Sequence, residues 1–243
     1  MNKLYVIGMG PGAAAGMTYE ATTALAEVEL ICGYTVYTEL LQPLYPDKEF
    51  LSTPMTSEME RCQLALTAAA AGRKVAMVCS GDAGIYGMAS PILQMAVNFP
   101  TVDVQVISGV TAAASGSALL GAPLSHDFTV ISLSDLLSPW DLIEKRLLAA
   151  AAADFVIVLY NPASQKRREH LAKACALIGQ YQAPETVCGY VQNIGRVGEK
   201  AVTTTLAQLA QTTVDMFTTV FIGNSQTQEL GGKMVTPRGY IYG

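Results

Sequence analysis

Histidine and tryptophan are nearly absent from this chain of 243 residues, with two of the first and one of the second. His126 and His170 lie far apart, and the five cysteines (Cys32, Cys62, Cys79, Cys175, Cys188) form no Cys-x-x-Cys pair and no regular spacing. That excludes the usual zinc ligand sets and a disulfide framework, and it fits reduced thiols in a cytoplasmic protein. Charge is scarce as well, at 14% against 51% hydrophobic residues, which excludes intrinsic disorder. Cations are outnumbered and the net charge is −5, so general affinity for nucleic acid or an anionic membrane is excluded. A polyanionic ligand would have to be met by a local basic patch. No apolar run is long enough to cross a bilayer. The stretch between Asp103 and Asp127 lacks charge but is rich in Ser, Gly and Ala and contains Pro123. The run Leu4–Met9 is broken by Gly10-Pro11-Gly12, too early for a secretory core. The chain is expected to be soluble and cytoplasmic.

What the sequence does contain is an alternation of short apolar runs with helical stretches. Leu4–Gly8, Leu30–Cys32, Glu49–Leu51, Lys74–Cys79 and Val102–Ile107 read as strands, with helices over Thr18–Val28, Ser57–Ala71 and Met88–Asn98. Ser57 with Glu60 has the spacing of a capping box, and Gly72 stands where a helix-ending glycine belongs. Strand–helix alternation predicts a mostly parallel sheet with helices on its faces. Further on, Phe128–Ser132, Phe155–Tyr160, Thr186–Val191, Lys200–Thr204 and Thr218–Ile222 read as strands, and Pro139–Ala153 and Lys166–Ile178 as helices. Strands crowd toward the end, which predicts a mixed sheet. The Gly, Pro and Ser cluster at Gly121–Ser125 divides the chain into α/β domains over 1–122 and 123–243, with a ligand cleft expected between them.

Three small-residue loops follow predicted strands. Gly8-Met9-Gly10-Pro11-Gly12-Ala13 fits the dinucleotide fingerprint only formally. Pro11 removes an amide donor, and Gly33-Tyr34-Thr35 end the second strand where a ribose-binding carboxylate would stand. Ser80-Gly81-Asp82-Ala83-Gly84-Ile85-Tyr86-Gly87 lets backbone approach a ligand, and Asp82 offers acceptors to an amine or ribose. The competing interpretation is an Asp-Gly turn. Ser108-Gly109-Val110-Thr111-Ala112 repeats the geometry one strand later, with Ser108 as a candidate N-cap. Tyr160-Asn161-Pro162-Ala163-Ser164 ends another strand, and Lys166-Arg167-Arg168 follows it. A cationic first helical turn opposes the helix dipole, so a local anionic partner would account for it. Arg196, Lys200 and Arg238 are further basic candidates, Trp140 reads as a packing anchor, and each histidine reads as structural.

Gly8-x-Gly10-Pro11-Gly12, Ser80-Gly81-Asp82-x-x-x-Tyr86-Gly87, Ser108-Gly109-Val110-Thr111-Ala112 and Thr219–Asn224 occur in the order found in the tetrapyrrole methylases, which the chain resembles over essentially its whole length. The resemblance implies two α/β domains (the tetrapyrrole methylase fold), a homodimer, and S-adenosylmethionine held between domains, with S-adenosylhomocysteine as its product. Cys32-Gly33-Tyr34 with Tyr37, the run Ser132–Trp140, and Leu159–Pro162 with Ser164 and Arg167 resemble the members that methylate carbon 17 of a precorrin-3-type macrocycle and contract its ring in cobalamin synthesis. By position it implies cofactor contacts at Pro11, Gly81, Asp82, Ile85, Tyr86, Thr111, Ala112, Tyr160 and Asn161. Ser134, Ser164, Lys166, Arg167 and Arg168 are expected to bind the substrate carboxylates, and no metal is expected. Ring contraction needs proton transfers, for which Asp135 and His126 are the candidates. A methylase acting at another macrocycle carbon, or one acting on diphthine or ribosomal RNA, would share the superfamily loops. A non-enzymatic tetrapyrrole carrier would not need the Gly81–Gly87 loop.

Overall fold

The computed structural model describes residues 2–164 and 166–240, and the chain divides into two compact units, Met1–Ala112 and Ala113–Gly243. The first unit runs β1 (Asn2–Gly8), α1 (Tyr19–Glu27), β2 (Leu30–Tyr34), α2 (Thr35–Leu41), β3 (Glu49–Thr53), α3 (Glu58–Ala70), β4 (Val75–Cys79), α4 (Ala89–Ala96) and β5 (Val102–Ile107). Its strands lie in the order β3-β2-β4-β1-β5, every pair parallel. Such a sheet buries both faces, and successive side chains serve opposite ones. Leu4 and Val6 join a cluster with Leu66 and Ile92, whereas Tyr5 and Ile7 join another with Leu25 and Leu41.

Local chemistry sets the helix ends. Thr18 Oγ1 accepts from the Ala21 amide at 3.1 Å and starts α1. The capping box expected from Ser57 and Glu60 does not form. Ser57 has φ −105° and ψ 33°, not the extended backbone that aims a cap at the first turn, and its side chain makes no capping bond. The end of α3 is as expected. Gly72 has φ +93°, its amide donates to the Ala69 carbonyl, and the Arg73 amide donates to that of Ala68. Helix α2 was not foreseen, because Thr35, Val36 and Thr38 favour strands. Tertiary contacts override that preference: Thr38 is fully buried, with its hydroxyl donating to the Thr35 carbonyl and 2.6 Å from that of Ser52.

Helix α5 (Ala112–Leu120) leads into the second unit, followed by β6 (Gly121–Ala122), β7 (Phe128–Ser132), α6 (Trp140–Ala152), β8 (Val156–Tyr160), α7 (His170–Ile178), β9 (Val187–Gln192), β10 (Lys200–Thr205), α8 (Leu206–Leu209), β11 (Thr218–Ile222), β12 (Gln228–Leu230) and β13 (Lys233–Val235). The main sheet is mixed, in the order β10-β9-β11-β8-β7, with β7 and β8 parallel and the other pairs antiparallel. Strands β12, β13 and β6 form a small second sheet. Side chains of α6, α7 and α8 pack with Ile131, Leu159, Val220 and Ile222. Gly116 lets α5 approach the buried Phe221, since a Cβ there would come within 2.9 Å of its ring. Two helix starts differ from expectation. Helix α5 begins at Ala112, so Ser108 is not its cap; the Ser108 carbonyl instead accepts from Thr18 Oγ1 at 3.3 Å. Helix α7 begins at His170, and Lys166–Arg168 precede it in a turn where the Arg167 amide donates to the Ser164 carbonyl at 3.1 Å.

Candidate active site

In the first unit, β4, β1 and β5 are neighbours and end at one edge, with Gly8 beside Cys79 and Ile7 beside both Val78 and Ile107. The loops after them are therefore drawn together. Gly10 and Gly81 exchange backbone hydrogen bonds of 3.1 and 2.7 Å. A Cβ on Gly8 would lie 2.6 Å from the Gly81 oxygen and 2.7 Å from the Gly109 nitrogen, and one on Gly109 would overlap the carbonyls of Gly81 and Gly8. Asp82 braces this knot: Oδ1 accepts from the Gly84 amide at 2.8 Å and Oδ2 from the Gly109 amide at 2.9 Å. Its carboxylate keeps lone pairs for a ligand, but its first task is to join two loops. Ile85 and Tyr86 are exposed, and Tyr86 holds a left-handed φ of 54°. Pro11, Thr111 and Ala112 are half-buried, and the first amides of α5 have no partner within the helix. These loops form one hydrogen-bonded edge built largely of backbone and small side chains. Beneath it, burial pushes the Cys79 thiol up to about 11, and its Sγ–H donates to the Ile7 carbonyl at 3.6 Å, so it stays a protonated packing residue.

In the second unit, parallel pairing sets Ser132 beside Tyr160. Tyr160 Oη accepts from the Ala113 amide at 2.7 Å. Asn161, at φ 51°, donates from Nδ2 to Ser132 Oγ at 3.0 Å, and that oxygen also accepts from the Ser134 amide at 3.2 Å. Across these braced strand ends lies Arg167. Its Nη1 donates to Ser134 Oγ at 2.6 Å and its Nε to Ser164 Oγ at 3.1 Å, and Nη1 is 3.7 Å from Asp135 Oδ1. Lys166 and Arg168 flank it and are exposed. A cavity of about 650 Å³ adjoins, lined by Ser164, Arg168, Leu171, Val214 and Phe217 among others. Phe217 in turn lies under the Arg196 guanidinium, 5.4 Å from ring centroid to Cζ.

Ser134, Asp135, Ser164 and Arg167 are thus brought into one group. His126 is not. It precedes β7, at the opposite end of that strand from Asp135, where it is exposed and accepts from the Asp127 amide at 2.9 Å. His170, which nothing in the sequence spacing singled out, does join the group. Its Nδ1 lies 3.0 Å from the Leu133 carbonyl and its Nε2 3.7 Å from Asp135 Oδ2, and its ring packs on Trp140 with centroids 4.6 Å apart. The signal lies in the order of residues at the start of α7: a helix that begins at His170, and not at Lys166, puts the imidazole in its first turn.

The family model of the tetrapyrrole (corrin/porphyrin) methylases matches residues 3–210. The probable cobalt-factor III C(17)-methyltransferase of Salmonella typhimurium is 48% identical over 239 residues, covering 98% of this chain and 99% of that one. The precorrin-3B C(17)-methyltransferase of Sinorhizobium is 39% identical over 246 residues, 98% of this chain and 96% of its own. Among solved structures, that of the methyltransferase CobJ aligns with a TM-score of 0.90 and 32% identity over 98% of this chain and all of that one. The uroporphyrin-III C-methyl transferase of Thermus thermophilus, solved with S-adenyl homocysteine, shares the fold, with a TM-score of 0.70 at 21% identity over 91% of this chain and 92% of that one. The chain belongs to the tetrapyrrole methylases and is a methyltransferase.

Proposed function

We propose that this methyltransferase moves the methyl group of S-adenosylmethionine to carbon 17 of a precorrin-3-type macrocycle, with ring contraction, in cobalamin biosynthesis. The observation that carries this reading is the Arg167 guanidinium, fixed by the hydroxyls of Ser134 and Ser164 on the loops that resemble the carbon-17 enzymes. The macrocycle bears carboxylate arms. Nη2 of Arg167 and the flanking Lys166 and Arg168 offer them donors, and the adjoining cavity offers room.

When bound, S-adenosylmethionine supplies an electrophilic methyl group on a sulfonium. The residues assigned to hold it are Pro11, Gly81, Asp82, Ile85, Tyr86, Thr111 and Ala112; Gly81, Thr111 and Ala112 offer backbone and small side chains, and Ile85 and Tyr86 offer exposed apolar surface. Methyl transfer requires no covalent enzyme intermediate. Alignment of donor and nucleophilic carbon is the chief contribution the protein makes, a term reaching about 7–11 kcal/mol.

The test is incubation with S-adenosylmethionine and cobalt-factor III, in parallel with precorrin-3B, followed by mass and absorption spectra of the products. Cobalt-factor III comes first because the more similar of the two relatives carries that name. One added methyl group with a contracted ring is expected. Methylation of neither macrocycle, by protein that binds S-adenosylhomocysteine, would overturn the assignment. The same reading includes a cytoplasmic homodimer. Light scattering should give about twice the chain mass of 25.7 kDa, and a monomer at micromolar concentration would remove that claim.

A further inference from the structure

Substrate binding accounts for Arg167 but not for the imidazole behind it. His170 opens α7 with a side chain 11% exposed and its ring tilted at 45° against Trp140. Both of its nitrogens face acceptors. The Leu133 carbonyl oxygen, 3.0 Å from Nδ1, has no hydrogen to give, so that contact places a proton on Nδ1. Nε2 points at Asp135 Oδ2 across 3.7 Å, just beyond hydrogen-bond distance. A neutral imidazole of this tautomer carries a lone pair on Nε2, and a carboxylate carries only lone pairs. The gap between them has a place for one proton. On the other side, Arg167 Nη1 stands 3.7 Å from Asp135 Oδ1, and the guanidinium is held by Ser134 Oγ at Nη1 and by Ser164 Oγ at Nε, so it does not readily follow the carboxylate if Asp135 turns. The Asp135 side chain, 35% exposed, is the most solvent-accessible member of the trio.

We propose that Asp135 accepts the proton released on methylation and that His170 is its positioning residue, aiming the carboxylate and sharing the proton through Nε2. The proposal rests on the methyltransferase reading above. The balance is simple. The methyl group leaves sulfur without the C–S electron pair, which stays on sulfur as the thioether. The new C–C bond takes a pair from the macrocycle π system, so the macrocycle gains one positive charge and discharges it by losing one proton. Asp135 takes that proton, Nε2 then has a donor to accept from, and the pair closes to hydrogen-bond distance. The proton returns to water when the product leaves. Catalytic hydrogen bonds that are long without substrate and tighten with it are common.

With only two histidines in the chain, selective ¹⁵N-imidazole labelling gives a spectrum in which His126 is the internal control. The proposal expects His170 to show a protonated Nδ1, and an Nε2 resonance that moves in Asp135→Asn while His126 stays still. In turnover, His170→Asn keeps a donor for the Leu133 carbonyl and loses the group at Nε2. Its kcat should fall about 10-fold or more, with KM for the macrocycle and S-adenosylhomocysteine affinity within about twofold of wild type. His170→Ala serves if the Asn variant does not fold, with the same split expected, whereas His170→Gln, whose amide still reaches Asp135, should recover part of the lost kcat. Wild-type kcat in a folded variant, or a His170 resonance indifferent to Asp135→Asn, overturns the proposal. Wild-type protein that methylates neither macrocycle removes the functional reading instead, and the resonance experiment then still decides whether the pair exists.

Discussion

Arg167 is a cation with its geometry already settled. Two N–H groups are engaged by Ser164 and Ser134, while Nη2 takes part in neither bond. A guanidinium held this way loses little side-chain freedom on meeting a carboxylate, and it meets it as a planar fork, unlike a lysine. Truncation to Ala should weaken macrocycle binding by about 1.5–3 kcal/mol, roughly 10- to 150-fold in Kd. Arg167→Lys should recover only part of the loss, and S-adenosylhomocysteine binding should stay near wild type in both. Wild-type macrocycle affinity in Arg167→Ala would mean that the triplet is only a solvated turn. The sequence pattern puts Arg167 in the first turn of a helix and gives its charge to a substrate carboxylate. The structure instead ends the turn before His170, and the two serine bonds show why an arginine stands there.

Among the elements, the three glycine loops of the first unit were legible because each follows a β-branched or apolar run that could only be a strand. Less legible was their mutual support, which depends on the β4-β1-β5 order and so on contacts distant in sequence. Asp82 illustrates the difference. Its place in a turn could be read locally, but its bond to the Gly109 amide, 27 residues away, could not. The same limit hid α2, whose β-branched residues take a helix because burial and the Ser52 contact decide for Thr38. It also hid His170, which meets Leu133 and Asp135 only once the start of α7 comes against the loop that follows β7. The loop knot has a testable consequence. Ala at Gly109 would set a methyl group against two carbonyls that cannot retreat without parting β1 from its neighbours. A strain cost of about 1–3 kcal/mol is expected, with a lower Tm. Calorimetry should show at least a 10-fold loss of S-adenosylhomocysteine affinity in the same variant, because the loops that shift are those assigned to hold it. Full affinity in a folded Gly109→Ala protein would separate the knot from the cofactor.

At the scale of the whole molecule, a chain with so few charges relies on apolar burial, and its cysteines are part of that interior. All five are buried and free. Burial pushes Cys32 and Cys175 up to about 12 and Cys62 and Cys79 up to about 11, from an ordinary value of 9.0, and it raises Cys188 further still. Each folded thiol therefore keeps its proton over a range in which the unfolded chain has lost it. Well below pH 9, at about pH 7 and lower, both states are protonated and these groups add no pH dependence. As pH rises from about 9 toward 12, the unfolded state binds fewer protons than the folded one, and unfolding becomes steadily easier. Denaturant unfolding under reducing conditions should show stability falling across that window. Replacing Cys32 and Cys188, one in each unit, by Ala should lower stability at neutral pH by opening small gaps, yet flatten the alkaline slope. Thiol reagents should find all five cysteines unreactive until the protein unfolds, since the thiolate is the reactive form and access is closed. Parallel pH slopes in the wild type and the double variant would show that tyrosine and lysine titration, and not the buried thiols, governs alkaline unfolding.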